Sequence, residues 1–331
     1  MTELEAQAAA PAARGPLVGV DLGGTLIRAA VATGPASHGP PVRHPTPPGA
    51  PPDAVLDAIA AAVREATAGA TPGGMAIGIP GPLDPERGIV YAAPNLHGFA
   101  HLQVQAPLEQ RLGCPVAIHN DANLAGYAEW VAGAAKGVRH MVFITVSTGV
   151  GGGLVLNGEL FAGAAGTAGE IGHMPIDPNG PPCGQGHPGC LEGTASGTAI
   201  AARAHRLLDA GQASTLSALP RAQLDARAVA DAAEAGDQLA IDLYHHAGHA
   251  LGRAIGGLVN LLSPEVVVVG GGLINAGDLL LAPMRAGAAE LAFPEPLQRC
   301  PIVPAALGTD AGLVGAVAWA VRRFATAGAA A

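Results

Sequence analysis

Short apolar runs closed by glycine turns alternate along this chain with Ala-rich stretches of helical period. Leu17–Leu22 and Leu26–Val31 flank Gly23-Gly24, which predicts a β-hairpin. Gly34 to Pro52 is Pro-rich and reads as loop with strand fragments; Val55, Leu56, Ile59 and Val63 then recur on one helical face, with Asp53 as the expected N-cap. Met75–Ile79 reads as a buried strand entering the rigid turn Pro80-Gly81-Pro82. Val116–Ile118 predicts a strand that ends in His119-Asn120-Asp121-Ala122-Asn123, with a helix from Leu124 to Val131. Met141–Val146 repeats the opening logic: an apolar strand, a turn over Ser147–Gly153, a return strand, and Asn157-Gly158 as a type I′ hairpin signal. Ala195 to Ala235 is helical and Ala-rich. From Gln238 to Leu262, Leu243, Ala247, Leu251, Ala254, Leu258 and Leu262 recur at three- and four-residue steps, a long helix that Ser263-Pro264 ends. Glu265–Val269 runs into Gly270-Gly271-Gly272, and Gly308 to Arg322 reads as a closing apolar helix.

With 331 residues the chain is long enough for two domains. Only 3% of residues are aromatic while 49% are hydrophobic, so the core must be built from Val, Leu, Ile and Ala. The formal charge of −9, with Lys136 as the one lysine, argues against a nucleic-acid surface. No apolar run reaches the length of a membrane span. Residues 1–16 are Ala/Pro-rich, lack the pattern of a signal peptide and read as a disordered tail. The four cysteines (Cys114, Cys183, Cys190 and Cys300) fit a reducing compartment, so a soluble cytoplasmic protein is expected.

The densest chemistry lies between Gly169 and Glu192. There Glu170, His173, Cys183, His187, Cys190 and Glu192 stand among Pro and Gly that cannot continue a helix. Thiolate and imidazole at such spacings are how zinc is usually held; the alternative is a Gly/Pro turn with two free thiols. At Gly23-Gly24 backbone N–H groups can approach a phosphate closely, and Asp21 can reach a metal on that phosphate; the alternative is an ordinary tight hairpin. Thr148 and Gly149 lie in the second such turn. Its glycines join two strands and open no helix, so it is not a dinucleotide fingerprint, and no Walker A lysine is present. Asp121, at the end of a strand, can take a proton from a hydroxyl while Asn120 orients the substrate, or the two can merely cap the next helix.

Several of these segments together resemble the ROK family of bacterial sugar kinases and sugar-responsive repressors. Glu170-Ile171-Gly172-His173 and Cys183-Gly184-Gln185-Gly186-His187-Pro188-Gly189-Cys190-Leu191-Glu192 match its signature with one departure, Gln185 in place of the middle cysteine. Asp21-Leu22-Gly23-Gly24-Thr25 matches the first phosphate motif, Pro94-Asn95-Leu96 a sugar-contact loop, and Asn120-Asp121-Ala122-Asn123 the catalytic motif. The resemblance implies an α/β fold of two actin-like (ribonuclease H-like) domains with a deep interdomain cleft. Residues 17–119 plus 307–325 would form the smaller domain, and 120–306 the larger. It implies a kinase transferring the γ-phosphate of ATP, with Mg²⁺, to the 6-hydroxyl of a hexose, glucose foremost. Asp121 would be the base, and Asn95, Asn120, Glu170, His173 and Glu192 the sugar contacts. Asp21, Gly23, Gly24, Thr25, Thr148, Gly149, Gly270, Gly271 and Gly272 would hold the nucleotide. A structural Zn²⁺ would bind His173, Cys183 and Cys190, and at the fourth position His187 swings in, or water completes the set, or the site is weak. A homodimer or homotetramer is expected. N-acetylhexosamine or fructose as substrate, polyphosphate as donor, and a sugar sensor without catalysis remain alternatives. The repressor reading is weakened because 16 residues precede Leu17, too few for a helix-turn-helix.

Overall fold

The computed structural model describes residues 15–325, so the tail expected over 1–16 falls almost entirely outside the described residues. Two compact units divide the chain: residues 15–131, 163–167 and 310–325 make one, and residues 132–162 and 168–309 the other. Each has its own apolar core.

In the first unit β1 (Leu17–Leu22) and β2 (Leu26–Gly34) form the predicted hairpin, and the short β3 (Ser37–His38) and β4 (Val42–Pro45) both pair with β2. Helix α1 (Pro52–Ala66) follows, then β5 (Gly74–Ile79). The sequence reading of Asp53 as N-cap is corrected here: Pro51 holds that position without a side-chain cap bond. Proline's fixed φ suits the first helical turn, so Pro52 enters the helix, and Asp53 instead accepts a hydrogen bond from Arg111 at 2.8 Å. A small sheet of β6 (Leu83–Asp84), β7 (Ile89–Ala92) and β8 (Ala100–Gln103) and the helix α2 (Gln105–Leu112) lead to β9 (Val116–Asn120) and α3 (Asp121–Val131). β5 lies between β1 and β9, parallel to both, which is why all six of its residues are buried and why its sequence shows no alternation.

The second unit repeats this plan. β10 (Met141–Val146) and β11 (Val150–Leu156) form a hairpin, extended by β12 (Glu159–Leu160) beyond Asn157 and Gly158, both at positive φ as a type I′ turn requires. Helices α4 (Leu191–Ala195), α5 (Gly197–Asp209), α6 (Ala226–Glu234) and α7 (Gln238–Leu262) precede β13 (Val266–Gly270), which runs parallel to β10. α8 (Asp278–Leu291), α9 (Pro294–Gln298) and β14 (Ile302–Pro304) complete it. The last helix, α10 (Ala311–Phe324), belongs to the first unit and packs on β1 and α3.

α7 has the predicted bounds. Gly248, Gly252 and Gly256 recur on it every fourth residue, and a Cβ at any of them would strike the backbone of α8, so the two helices lie in near contact. Its start is fixed by Asp237. Burial alone would push that carboxyl up, but hydrogen bonds from Thr215 (side chain 2.7 Å, backbone 2.6 Å), the Ala240 amide and Ser214 outweigh it and bring the pKa down to about 2. A folded-state pKa below the unfolded value adds stability that is complete above the unfolded pKa and is lost as pH falls through the folded one. Asp237→Asn should therefore lower stability by about 2 kcal/mol at neutral pH, with the gap closing as pH is lowered toward 2, read by urea unfolding across pH.

Candidate active site

In the first unit the turn after β1 closes with the Gly23 amide donating to Leu26 O at 2.9 Å, and Thr46 Oγ1 braces Gly23 O at 2.7 Å. A Cβ on Gly24 would lie 3.0 Å from that of Asn95, so the expected sugar-contact loop sits directly on the expected phosphate turn. Asp21 and Arg28 face each other in the hairpin register. Both Nε (2.9 Å) and Nη2 (2.7 Å) of Arg28 donate to Asp21 Oδ2, while Nη1 reaches Asp310 Oδ1 at 3.3 Å. On its other side Asp21 abuts Gly312 in the first turn of α10, where a Cβ would lie 2.9 Å from Oδ1. Arg28 was not among the residues expected at the site. Its signal was the hairpin itself: once the Gly-Gly turn is placed, Asp21 and Arg28 become cross-strand neighbours.

Asn120 and Asp121 stand where β9 ends and α3 begins. The Asn120 amide is engaged at both ends: Nδ2 donates to Gly81 O at 3.1 Å, and Oδ1 accepts from the Asn123 N–H at 3.0 Å. Asp121, half-buried, accepts from the Ala122 N–H at 2.8 Å, while the bond from the Asn123 N–H to Asn120 Oδ1 supplies the cap of α3. His119 beneath them is buried, with Nδ1 accepting from the Asn120 N–H at 3.0 Å and its ring edge-on to Trp319 at 5.3 Å. Burial pulls its pKa down to about 4, so it is a neutral support at physiological pH.

The second unit holds the other half of the expected residues. The turn after β10 closes with the Ser147 amide donating to Gly149 O at 2.9 Å, and Thr148 O accepts from Thr198 Oγ1 at 2.9 Å. Gly270 ends β13; Gly271 follows at φ 87°, tight against Val146, and Gly272 opens a 3₁₀ turn. Glu170, His173 and Glu192 lie together. His173 Nε2 is 3.9 Å from Glu170 Oε2, and burial pushes the Glu170 carboxyl up, His173 opposing that rise and Glu192 adding to it.

The opposite edge of His173 faces the metal candidates. Donor atoms of His173, Cys183, His187 and Cys190 all lie within 4.8 Å of one another. Cys183 Sγ is 3.5 Å from His173 Nδ1. In a tetrahedral zinc site with ordinary bond lengths, sulfur and nitrogen are about 3.6 Å apart, so this donor set fits the ion. The turn explains why His187 lies beside the other three donors. Gly186 N donates to Cys183 O (2.8 Å) and Cys183 N to His187 O (2.9 Å), so residues 183 and 187 face each other across a tight turn and Gln185 is left exposed at its tip. Of the three possibilities that Gln185 left open, this geometry is compatible with the first: His187 lies beside the other three donors.

The ROK family model matches residues 17–323. The chain belongs to the ROK family. It is similar to a glucokinase of Halalkalibacterium halodurans, 39% identical over 76% of each chain. Among solved structures it is similar to a ROK hexokinase from Thermus thermophilus (36% identity, TM-score 0.77, covering 91% of this chain and 97% of that one). It is similar also to a ROK family glucokinase from Streptomyces griseus in complex with glucose and AMPPNP (34% identity, TM-score 0.77, covering 93% and 100%). The fold is the actin-like α/β fold of ROK sugar kinases, with one hairpin-led sheet in each unit.

Proposed function

We infer that the chain is an ATP-dependent hexokinase of the glucokinase type. The observation that carries this reading is the ROK match across residues 17–323 with the Asn120-Asp121 pair intact at its strand–helix junction. Glucokinases are prominent among its relatives, and the Streptomyces griseus structure holds glucose and an ATP analogue. In the reaction, Asp121 takes the proton of the hexose 6-hydroxyl as that oxygen attacks the γ-phosphorus; the bond from phosphorus to the β,γ-bridging oxygen breaks, and ADP leaves. Asn95, Asn120, Glu170, His173 and Glu192 hold the remaining hydroxyls, and the turns at Gly23-Gly24 and Thr148-Gly149 hold the phosphates with their N–H groups. The glycines at 270–272 receive the nucleoside. Such a protein contributes mainly position and charge.

Asp21 is the residue suited to hold Mg²⁺, which when bound neutralises charge on the phosphates. Arg28 keeps that carboxylate aimed. Arg28→Ala should lower kcat/KM for MgATP about 10- to 100-fold, the scale of a lost charge-assisted hydrogen bond, with little change in hexose KM in steady-state kinetics. Zn²⁺ on His173, Cys183, His187 and Cys190 would fix the loop so that Glu170 and Glu192 are presented together. No helix among the described residues is long and apolar enough to cross a membrane, and none of the four cysteines forms a disulfide, which fits a reducing compartment.

Measuring hexose phosphate formation over glucose, mannose, fructose and N-acetylmannosamine, with ATP and with polyphosphate as donors, tests the assignment. Glucose with ATP is expected to give the highest kcat/KM. Preference for N-acetylmannosamine or fructose would overturn the sugar while leaving the kinase class, and turnover of no hexose with either donor would overturn both.

A further inference from the structure

Glu192 makes contacts that a sugar ligand does not need. It lies in the first turn of α4, two residues after Cys190, yet its Oε2 accepts from the Val150 N–H at 3.2 Å, 42 residues earlier in the chain. Val150 closes the glycine turn after β10. The carboxylate is so close that a Cβ on Gly149 would stand 2.6 Å from Oε2. The other oxygen, Oε1, accepts from the Gly184 N–H at 3.2 Å, next to Cys183 of the metal loop. One carboxylate thus ties the expected phosphate turn to the loop that carries the expected sugar contacts.

We propose that Glu192 is a nucleotide-site residue as well as a hexose ligand: its carboxylate holds the Val150 N–H against the phosphates, and engagement by hexose hydroxyls gives that N–H up to them. The proposal rests on the kinase reading above. Two facts of chemistry carry it. A single N–H cannot donate fully to a carboxylate and a phosphate oxygen at once, and two anions at one turn repel each other. Hexose hydroxyls are donors that compete with Val150 and Gly184 for the same two carboxylate oxygens. Sugar and nucleotide therefore bind with positive coupling, and by linkage each strengthens the other by the same factor. The device also disfavours nucleotide binding while no acceptor sugar is present.

The experiment is titration of the full-length protein with Mg²⁺-AMPPNP, with and without saturating glucose, for wild type, Glu192→Gln and Glu170→Gln. In wild type, glucose is expected to tighten nucleotide binding by about 5- to 150-fold, the ordinary range of such coupling. Glu192→Gln should bind the nucleotide more tightly than wild type in the absence of sugar. Glu170→Gln removes a neighbouring charge of the same sugar set without touching the turn, and should leave sugar-free nucleotide affinity unchanged. Equal sugar-free affinity in wild type and Glu192→Gln would overturn the proposal, as would equal tightening in both variants, which would mean general charge and no specific contact. If Glu192→Gln does not fold, amide exchange over residues 147–153 of the unmodified protein decides: faster exchange on adding glucose alone supports the release of Val150, and unchanged or slower exchange overturns it. Undiminished glucose affinity in both variants would instead sink the sugar-site reading, a separate outcome seen in the sugar titration.

Discussion

Asp121→Asn is expected to keep hexose affinity and to lose about two to four orders of magnitude in kcat, the usual weight of a positioned general base. The substitution is close to isosteric. An Asn at 121 can still accept the Ala122 N–H that Asp121 accepts at 2.8 Å, so the start of α3 should survive. It cannot take a proton, however, and the first helical turn no longer faces a full negative charge. Asn120 and His119 hold the backbone on the strand side through bonds independent of the 121 carboxylate, to Gly81 O and the Asn120 N–H respectively. A loss confined to kcat, with glucose Kd unchanged by calorimetry, therefore isolates proton transfer from binding. Near-normal turnover would remove Asp121 from the base role. A collapse of both kcat and glucose binding would mean that the strand–helix junction depends on the carboxylate structurally.

Much of this arrangement was legible beforehand because it is local. The two hairpins follow from glycine turns between apolar runs, and α7 was readable to its bounds because its period and its Ser263-Pro264 stop lie within the helix itself. The N-terminus of α1 was misread because two competing local signals, Pro52 and Asp53, stand side by side. What sequence could not supply is non-local. The bond from Val150 to Glu192 joins residues 42 apart, and the glycine stripe of α7 acquires meaning only once α8 is laid against it. Arg28 is intermediate, since its pairing with Asp21 is implied by the hairpin register and its second bond to Asp310, 282 residues away, is not. The fourth metal position was undecidable from spacing because Gln185 stands where the signature has a cysteine, which left His187, water or a weak site. The turn, with Gly186 at φ 81°, brings His187 beside the other three donors.

That placement has a large measurable consequence. His187→Ala is expected to abolish stoichiometric zinc, whereas Gln185→Ala should leave about one zinc per chain, because the 185 side chain is exposed at the tip of the turn and an amide is a poor zinc ligand beside thiolate and imidazole. Metal analysis of protein purified without chelator separates the two. Cobalt replacing zinc should then show the absorption of a two-thiolate site in the native chain, from Cys183 and Cys190, and a more intense charge-transfer band in a Gln185→Cys, His187→Ala double variant if the loop accepts a third thiolate. Without an ion His173 would keep only the weak contacts to Glu170 (3.9 Å) and to the Cys183 and Cys190 thiols (3.5 and 3.4 Å), so the loop bearing Glu192 would be held to it less firmly. Zinc at a hundredfold over its Kd stabilises a fold by about 2.7 kcal/mol, so chelation or His187→Ala should lower Tm by several degrees. Glucose affinity should fall with it, since Glu192 accepts from the Gly184 N–H beside Cys183 and Glu170 faces His173. Tight zinc retained in His187→Ala would return the fourth position to water. An unchanged glucose affinity after complete zinc loss would show that the loop keeps its shape through the backbone bonds of the 183–187 turn alone.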